Sequence, residues 1–100
     1  MLLYNVTIGI DKDVEEEWLH WMKTRHIPDV MNTGMFLDSK IYKVLHDHEE
    51  ETTSYSVQYF VETIQHMQQY LALHAPALMA EHRERFANKH VAFQTLLEEV

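Results

Sequence analysis

Four stretches of the chain alternate with a period of two, and two others repeat an apolar residue every three or four positions. The order in which they follow one another limits the fold more than any single motif does. Residues 2–10 place Tyr4, Val6, Ile8 and Ile10 on one side and Leu3, Asn5, Thr7 and Gly9 on the other, as a half-buried strand would. Val14, Trp18, Trp21, Met22 and Arg25 then keep helical spacing. Asp11 or Asp13 offers the N-cap, and Glu15, Glu16 and Glu17 form a solvated run at the positive end of that helix. Residues 36–46 predict a second strand, with Leu37, Ile41 and Leu45 alternating against Tyr42 and Val44. HDHEEETT (46–53) is polar and like-charged, hence an exposed connection, and 54–61 alternates strictly as a third strand. Thr63 caps a second helix carrying Ile64, Met67, Tyr70 and Leu71. From Val91 onward a fourth strand sets Val91, Phe93, Thr95 and Leu97 on one face. The order is β-α-β-β-α-β: an α+β, ferredoxin-like pattern with a four-stranded antiparallel sheet.

Glycine and proline occur twice each, so each marks a specific event. Pro28 lacks an amide donor and its ring opposes the carbonyl four residues back, which predicts a stop or kink near Arg25 or His26. PDVMNT then restarts as a short turn, and Gly34 supplies a left-handed cap. Pro76 predicts a second break after His74, followed by a segment bearing Leu78, His82, Arg85 and Phe86. Two helices cover one face of such a sheet. The opposite face is expected to carry Leu3, Asn5, Thr7, Ser56, Gln58, Phe60, Gln94 and Leu96. A half-apolar face without cover predicts a homodimer formed through it.

One hundred residues correspond to one domain, residues 1–100. The formal charge of −8 argues against nucleic-acid or anionic-membrane partners, because phosphate binding needs clustered Lys and Arg. There is no cysteine, so disulfides and thiolate chemistry are excluded. MLLYNVTIGI lacks the basic region of a signal peptide, and no apolar run reaches membrane-spanning length. A cytoplasmic protein with no membrane partner is expected.

The strand and helix that end in His26-Ile27-Pro28, with Trp18 and Trp21 inside and Thr33, Gly34 and Phe36 beyond, resemble the dimeric α/β-barrel superfamily. SYSVQY (54–59), YLALHAPAL (70–78), Arg85-Phe86 and VAFQTLLE (91–98) are similar to one bacterial family within it, short stand-alone proteins of unassigned function. The resemblance spans nearly the whole chain. It implies a ferredoxin-like protomer whose sheet pairs with a second copy to close a barrel. Relatives in the superfamily include cofactor-independent monooxygenases, ring-opening isomerases, haem-handling enzymes and ligand-free modules, so fold carries over and activity does not.

Among chemistry-bearing residues, His26 leads. At a helix end facing a pocket it would serve as general base or orient a substrate, while its bland role is to cap orphan carbonyls. Tyr4, Trp21, His26 and Tyr59 are the expected pocket residues, with the two tryptophans more simply explained as core. No metal site is expected, since His46 and His48 with Glu49, Glu50 and Glu51 lie on a connection without a rigid frame. No cofactor is expected either; the resemblance leaves haem as an alternative, with His74 and His82 as axial candidates. G-x-S-x-G and glycine-rich phosphate loops are absent. The expected function is a small homodimeric module that binds a small molecule or another protein. The alternative is a cofactor-independent monooxygenase or isomerase for a small aromatic or polyketide-like substrate. A cavity between helices and sheet lined by His26 and Tyr4 or Tyr59 would favour the enzyme, and a filled core the module.

Overall fold

A computed structural model describes residues 1–46 and 49–100. Strand β1 (Leu2–Asp11) leads through a 3-10 turn (Lys12–Val14) into α1 (Glu15–Trp21), a π-helical segment (Met22–His26) and α2 (Ile27–Met31). Strands β2 (Asp38–Lys43) and β3 (Thr52–Val61) follow, then α3 (Ile64–Leu73), α4 (Ala75–Arg85) and β4 (His90–Glu98). The sheet order is β2-β3-β1-β4 and every neighbouring pair is antiparallel, which is the ferredoxin-like fold expected from the order of periodicities.

Both helical arms lie on one face. The β1–β3 register pairs Tyr4 with Tyr59, Val6 with Val57 and Ile8 with Tyr55, so these side chains share the helix-facing side. There they meet Trp18, Trp21, Met22, Val30, Phe36, Met67, Tyr70, Ala75 and Phe86 in one core. Each of the large side chains removed from water contributes on the order of 2 kcal/mol.

The opposite face shows an error of parity in the sequence reading. The β1–β4 register sets Leu3 against Leu97, Asn5 against Thr95, Thr7 against Phe93 and Gly9 against Val91. Gln94 and Leu96, expected on the open face, stand instead on the helix side, opposite Val6 and Tyr4. An alternating strand has two equivalent faces until its register with a neighbour is known. The correction makes the open face more apolar, because Phe93 (61 % exposed) and Val91 (72 % exposed) replace Gln94 and Leu96. Its centre is a polar network. Ser56 Oγ donates to Asn5 Oδ1 at 2.6 Å, and Asn5 Nδ2 to Thr7 Oγ1 at 3.0 Å.

The first helix does not stop at Pro28. Residues 22–26 widen into a π turn, the amide of Ile27 donates to the carbonyl of Met22, and His26 and Ile27 keep helical angles. The wider turn accommodates a proline that a regular α-helix would reject. His26 therefore sits inside a continuous helical arm and does not cap its end. Gly34 has φ +77° and follows the helix as the expected left-handed residue, its amide donating to the Met31 carbonyl. At Pro76 the expected break is present: His74 leaves the helical region (φ −120°, ψ −41°) and α4 restarts with the proline in its first turn.

Three local expectations change. Strand β2 is shorter than residues 36–46: Phe36 is buried in the core before it begins, and Leu37 and Leu45 are exposed on either side. Neither Asp11 nor Asp13 caps a helix through its side chain, and Asp13 instead accepts from Lys89 Nζ at 2.8 Å. Glu15 is no solvated end charge, because it accepts from Thr53 Oγ1 at 2.8 Å and from Tyr55 OH at 2.5 Å. Those bonds hold its carboxyl below the usual range and help push the Tyr55 hydroxyl, raised chiefly by burial, up to about 12. Thr63 caps α3 as expected, accepting from the His66 amide.

Candidate functional site

A cavity of about 260 Å³ lies between the helix-facing side of the sheet and the helical arms. Tyr4 on β1, Tyr59 on β3 and Tyr70 on α3 supply one side of its lining, and His26, His82 and His90 another. Tyr4 and Tyr70 approach with ring centroids 6.0 Å apart, Tyr4 and Tyr59 at 6.2 Å. All three rings are buried, yet none of their hydroxyls has a hydrogen-bond partner among the described residues. Burial raises each phenol above its ordinary value, so the hydroxyls stay protonated and able to donate.

The histidines form a cluster of edge-to-face rings whose proton positions are partly fixed by their partners. Trp18 Nε1 donates to His82 Nε2 at 2.9 Å, so the neutral His82 ring carries its proton on Nδ1. His90 Nδ1 lies 2.8 Å from the Phe86 carbonyl, which can only accept, leaving Nε2 of the neutral ring as an acceptor. The two rings are 4.6 Å apart, edge to face. His82 is pushed down to about 3, first by burial and then by the neighbouring His90 and His26. His26 is also shifted down by burial, against a smaller opposing effect of Glu81 and Asp29. The negative end of a helix would favour a charged imidazole, but His26 lies inside the arm and not at its end. Its Nδ1 is buried and has no hydrogen-bond partner among the described residues.

Three of the four residues singled out in the sequence, Tyr4, His26 and Tyr59, line this one cavity. Trp21 does not; it stacks on the His26 ring from outside the lining, centroids 5.1 Å apart at 29°. That stacking depends on the π turn. Residues five apart point roughly 140° away from each other around a regular α-helix, and a π turn brings them to the same side. Sequence reasoning missed Tyr70, His90 and the pocket role of His82. Tyr70 and His82 were placed on helical stripes, but their meeting with His90 required the β4 register. The haem alternative loses one of its atoms, because the Nε2 of His82 is engaged by Trp18; His74 packs on Tyr70. His46 is described but Asp47 and His48 are not, so the His46–His48 pair lies partly outside the described residues. Among the described residues no three His, Asp or Glu side chains are placed to hold a metal ion, and no helix is long and apolar enough to cross a membrane.

The model of one family, described as a domain of unknown function (DUF4286), matches residues 1–100. The chain belongs to this family. No curated protein matches the DUF4286 chain significantly. Among solved structures it is similar to an EthD family protein from Bacillus halodurans, with 14% identity, full coverage of both chains and a TM-score of 0.69. A protein described as a dimeric ferredoxin-like protein, from an uncultured marine organism, matches with 13% identity over 99% of this chain and 97% of its own, TM-score 0.69. SnoaB, a cofactor-independent oxygenase from Streptomyces nogalater, matches with 9% identity over 98% and 92%, TM-score 0.62. At such identities the DUF4286 chain shares their fold, and the chemistry must be sought in its own residues.

Proposed function

We propose that the protein is a cytoplasmic homodimer that binds a small molecule in the cavity between α3, α4 and the sheet. The observation that carries this reading is that three buried tyrosine rings, whose hydroxyls have no hydrogen-bond partner among the described residues, line one cavity together with His26, His82 and His90. The three hydroxyls can donate to a bound molecule with a carbonyl or hydroxyl group, and the His82 Nδ1 donor and His90 Nε2 acceptor add two further points of recognition. The dimer reading draws support from Leu3, Phe60, Phe93 and Leu97 on the open sheet face, and from the ferredoxin-like neighbour described as dimeric. This face is opposite the cavity, so pairing leaves the cavity accessible.

A second reading, a cofactor-independent monooxygenase or isomerase, is favoured by the neutral His26 ring. An imidazole held uncharged beside tyrosine donors is suited to take a proton from a bound acid. Phenol, a neutral single-ring probe, tests the shared premise. Titration followed by NMR should move the ring signals of His26, His82, Tyr59 and Tyr70, and Tyr59→Phe should weaken the effect several-fold. Saturating phenol that leaves all four rings unmoved in the folded protein would refute a ligand pocket here.

A further inference from the structure

The cavity continues into a second space. A cavity of about 280 Å³, lined by Tyr4, Met67, Leu71, Met79, Gln94 and Leu96, shares Tyr4, Met79 and Gln94 with the first. Neither space alone reaches the roughly 300–1,000 Å³ of ordinary small-molecule sites, but the two together do. Their order along the fold is the same on both walls. On β4 the lining runs from His90 through Ala92 and Gln94 to Leu96, about 20 Å of extended chain. On α4 it runs from Arg83 and His82 back to Met79. One end is rich in hydrogen-bonding groups, and the other is almost wholly apolar.

Charge separates the two ends further. Sixteen of the chain's hundred residues are Asp or Glu, yet among the described residues no carboxylate lines either space. Among the described residues the one formally charged side chain in the lining is Arg83, exposed at the rim of the first. A strongly acidic protein that keeps its carboxylates out of a cleft and sets a guanidinium at one end is arranged for an anion at that end. At the other end Met67, Leu71, Met79 and Leu96 offer flexible apolar surface, of which Leu71 and Leu96 are each nearly half exposed.

Building on the pocket reading above, we propose that this cleft binds a monocarboxylic acid with an extended apolar chain. The carboxylate sits at Arg83, within reach of the His90 end, and the chain passes Met79 to cover Leu71 and Leu96. Its occupant is the free acid in solution, recognised by charge at one end and by length at the other.

Isothermal titration with decanoate, decanol, decylamine and butyrate, together with the NMR titration of the same samples, tests this. Decanoate should bind at least ten-fold more tightly than butyrate and than decylamine, and should shift the signals of Leu71 and Leu96 as well as those of His90. In Arg83→Gln the preference for decanoate over decanol should disappear, and Leu96→Glu should weaken decanoate ten-fold or more. Butyrate or decylamine binding as tightly as decanoate would overturn the proposal, as would shifts confined to the open sheet face. If decanoate fails while phenol still moves the His26 and Tyr59 rings, the extended-acid inference falls and the pocket reading stands. If neither ligand moves them, both fall.

Discussion

Lowering the pH should destabilise this protein through His82 before its carboxylates titrate. The ring is nine-tenths buried, accepts from Trp18 and faces His26 and His90, so the folded state resists its protonation. Its folded value is near 3, against an ordinary 6.5 in the unfolded chain. For a histidine with a depressed folded value, the unfolded state takes up the proton first. Stability is therefore full above pH 6.5 and falls as the pH drops from there toward 3. The slope approaches about 1.4 kcal/mol per pH unit, and between pH 7 and 5 the loss from this one group is about 2 kcal/mol. That is a large part of the 5–15 kcal/mol typical of a domain. Urea unfolding followed by tryptophan fluorescence at pH 7, 6 and 5 measures it, and His82→Gln isolates it. The glutamine amide oxygen can still accept from Trp18 but does not titrate. The variant should lose about one proton's worth of the slope, leaving the smaller part due to His26, whose shift has the same sign. An unchanged slope in His82→Gln, or an NMR titration of His82 with its midpoint near 6.5, would refute the reasoning.

Glu15→Gln should destabilise by about 2 kcal/mol, because the charge-assisted bonds from Thr53 and Tyr55 become neutral ones or are lost. The contribution of Glu15 is fully present above its ordinary value of 4.5 and is lost as the pH falls below it, so the variant and wild type should converge in acid melts. Pro28→Ala removes the residue that obstructs regular helix, so the π turn should relax toward α-helical register and His26 should leave the face of Trp21; loss of the ring-current shift on the His26 protons would show it, and unchanged shifts would count against proline as the cause. Phe93→Lys places a charge on the open sheet face without touching the cavity side. It should turn a sedimenting dimer into a monomer while phenol still binds, and a wild type that sediments as a monomer at micromolar concentration would remove the dimer reading.

The sheet was legible because its information is local. The strict alternation in Ser54–Val61 and in Leu2–Ile10 decides both the strand state and which side chains share a face, and the structure keeps those faces. The break at Pro76 was legible for the same reason: a missing amide and a ring clash act within four residues. β4 shows where local information ends. Its alternation was read correctly, but whether Leu96 or Leu97 turns toward the helices depends on hydrogen bonds to β1, ninety residues earlier in the chain. Glu15 was misread on similar grounds, since its partners Thr53 and Tyr55 lie across the fold on β3.

His26 shows a different limit, and it bears on function. The sequence marked Pro28 as a disturbance and placed His26 next to it, both rightly. It offered no means of choosing among the responses a helix has to proline: ending, kinking or widening. Ending the helix would have put His26 at a solvated terminus, with carbonyls to bond and a charge favoured by the helix dipole. Widening it keeps His26 within the arm, stacked on Trp21 and 5.8 Å from the His82 ring, where burial suppresses its charge. The same residue thus changes from a cationic cap into a neutral wall of a cavity. Its neighbours on that wall, His82 and His90, come from α4 and β4, more than fifty residues away, and no spacing in the sequence joins them to it. The proline was the readable half of the site; the register of the last strand was the other half.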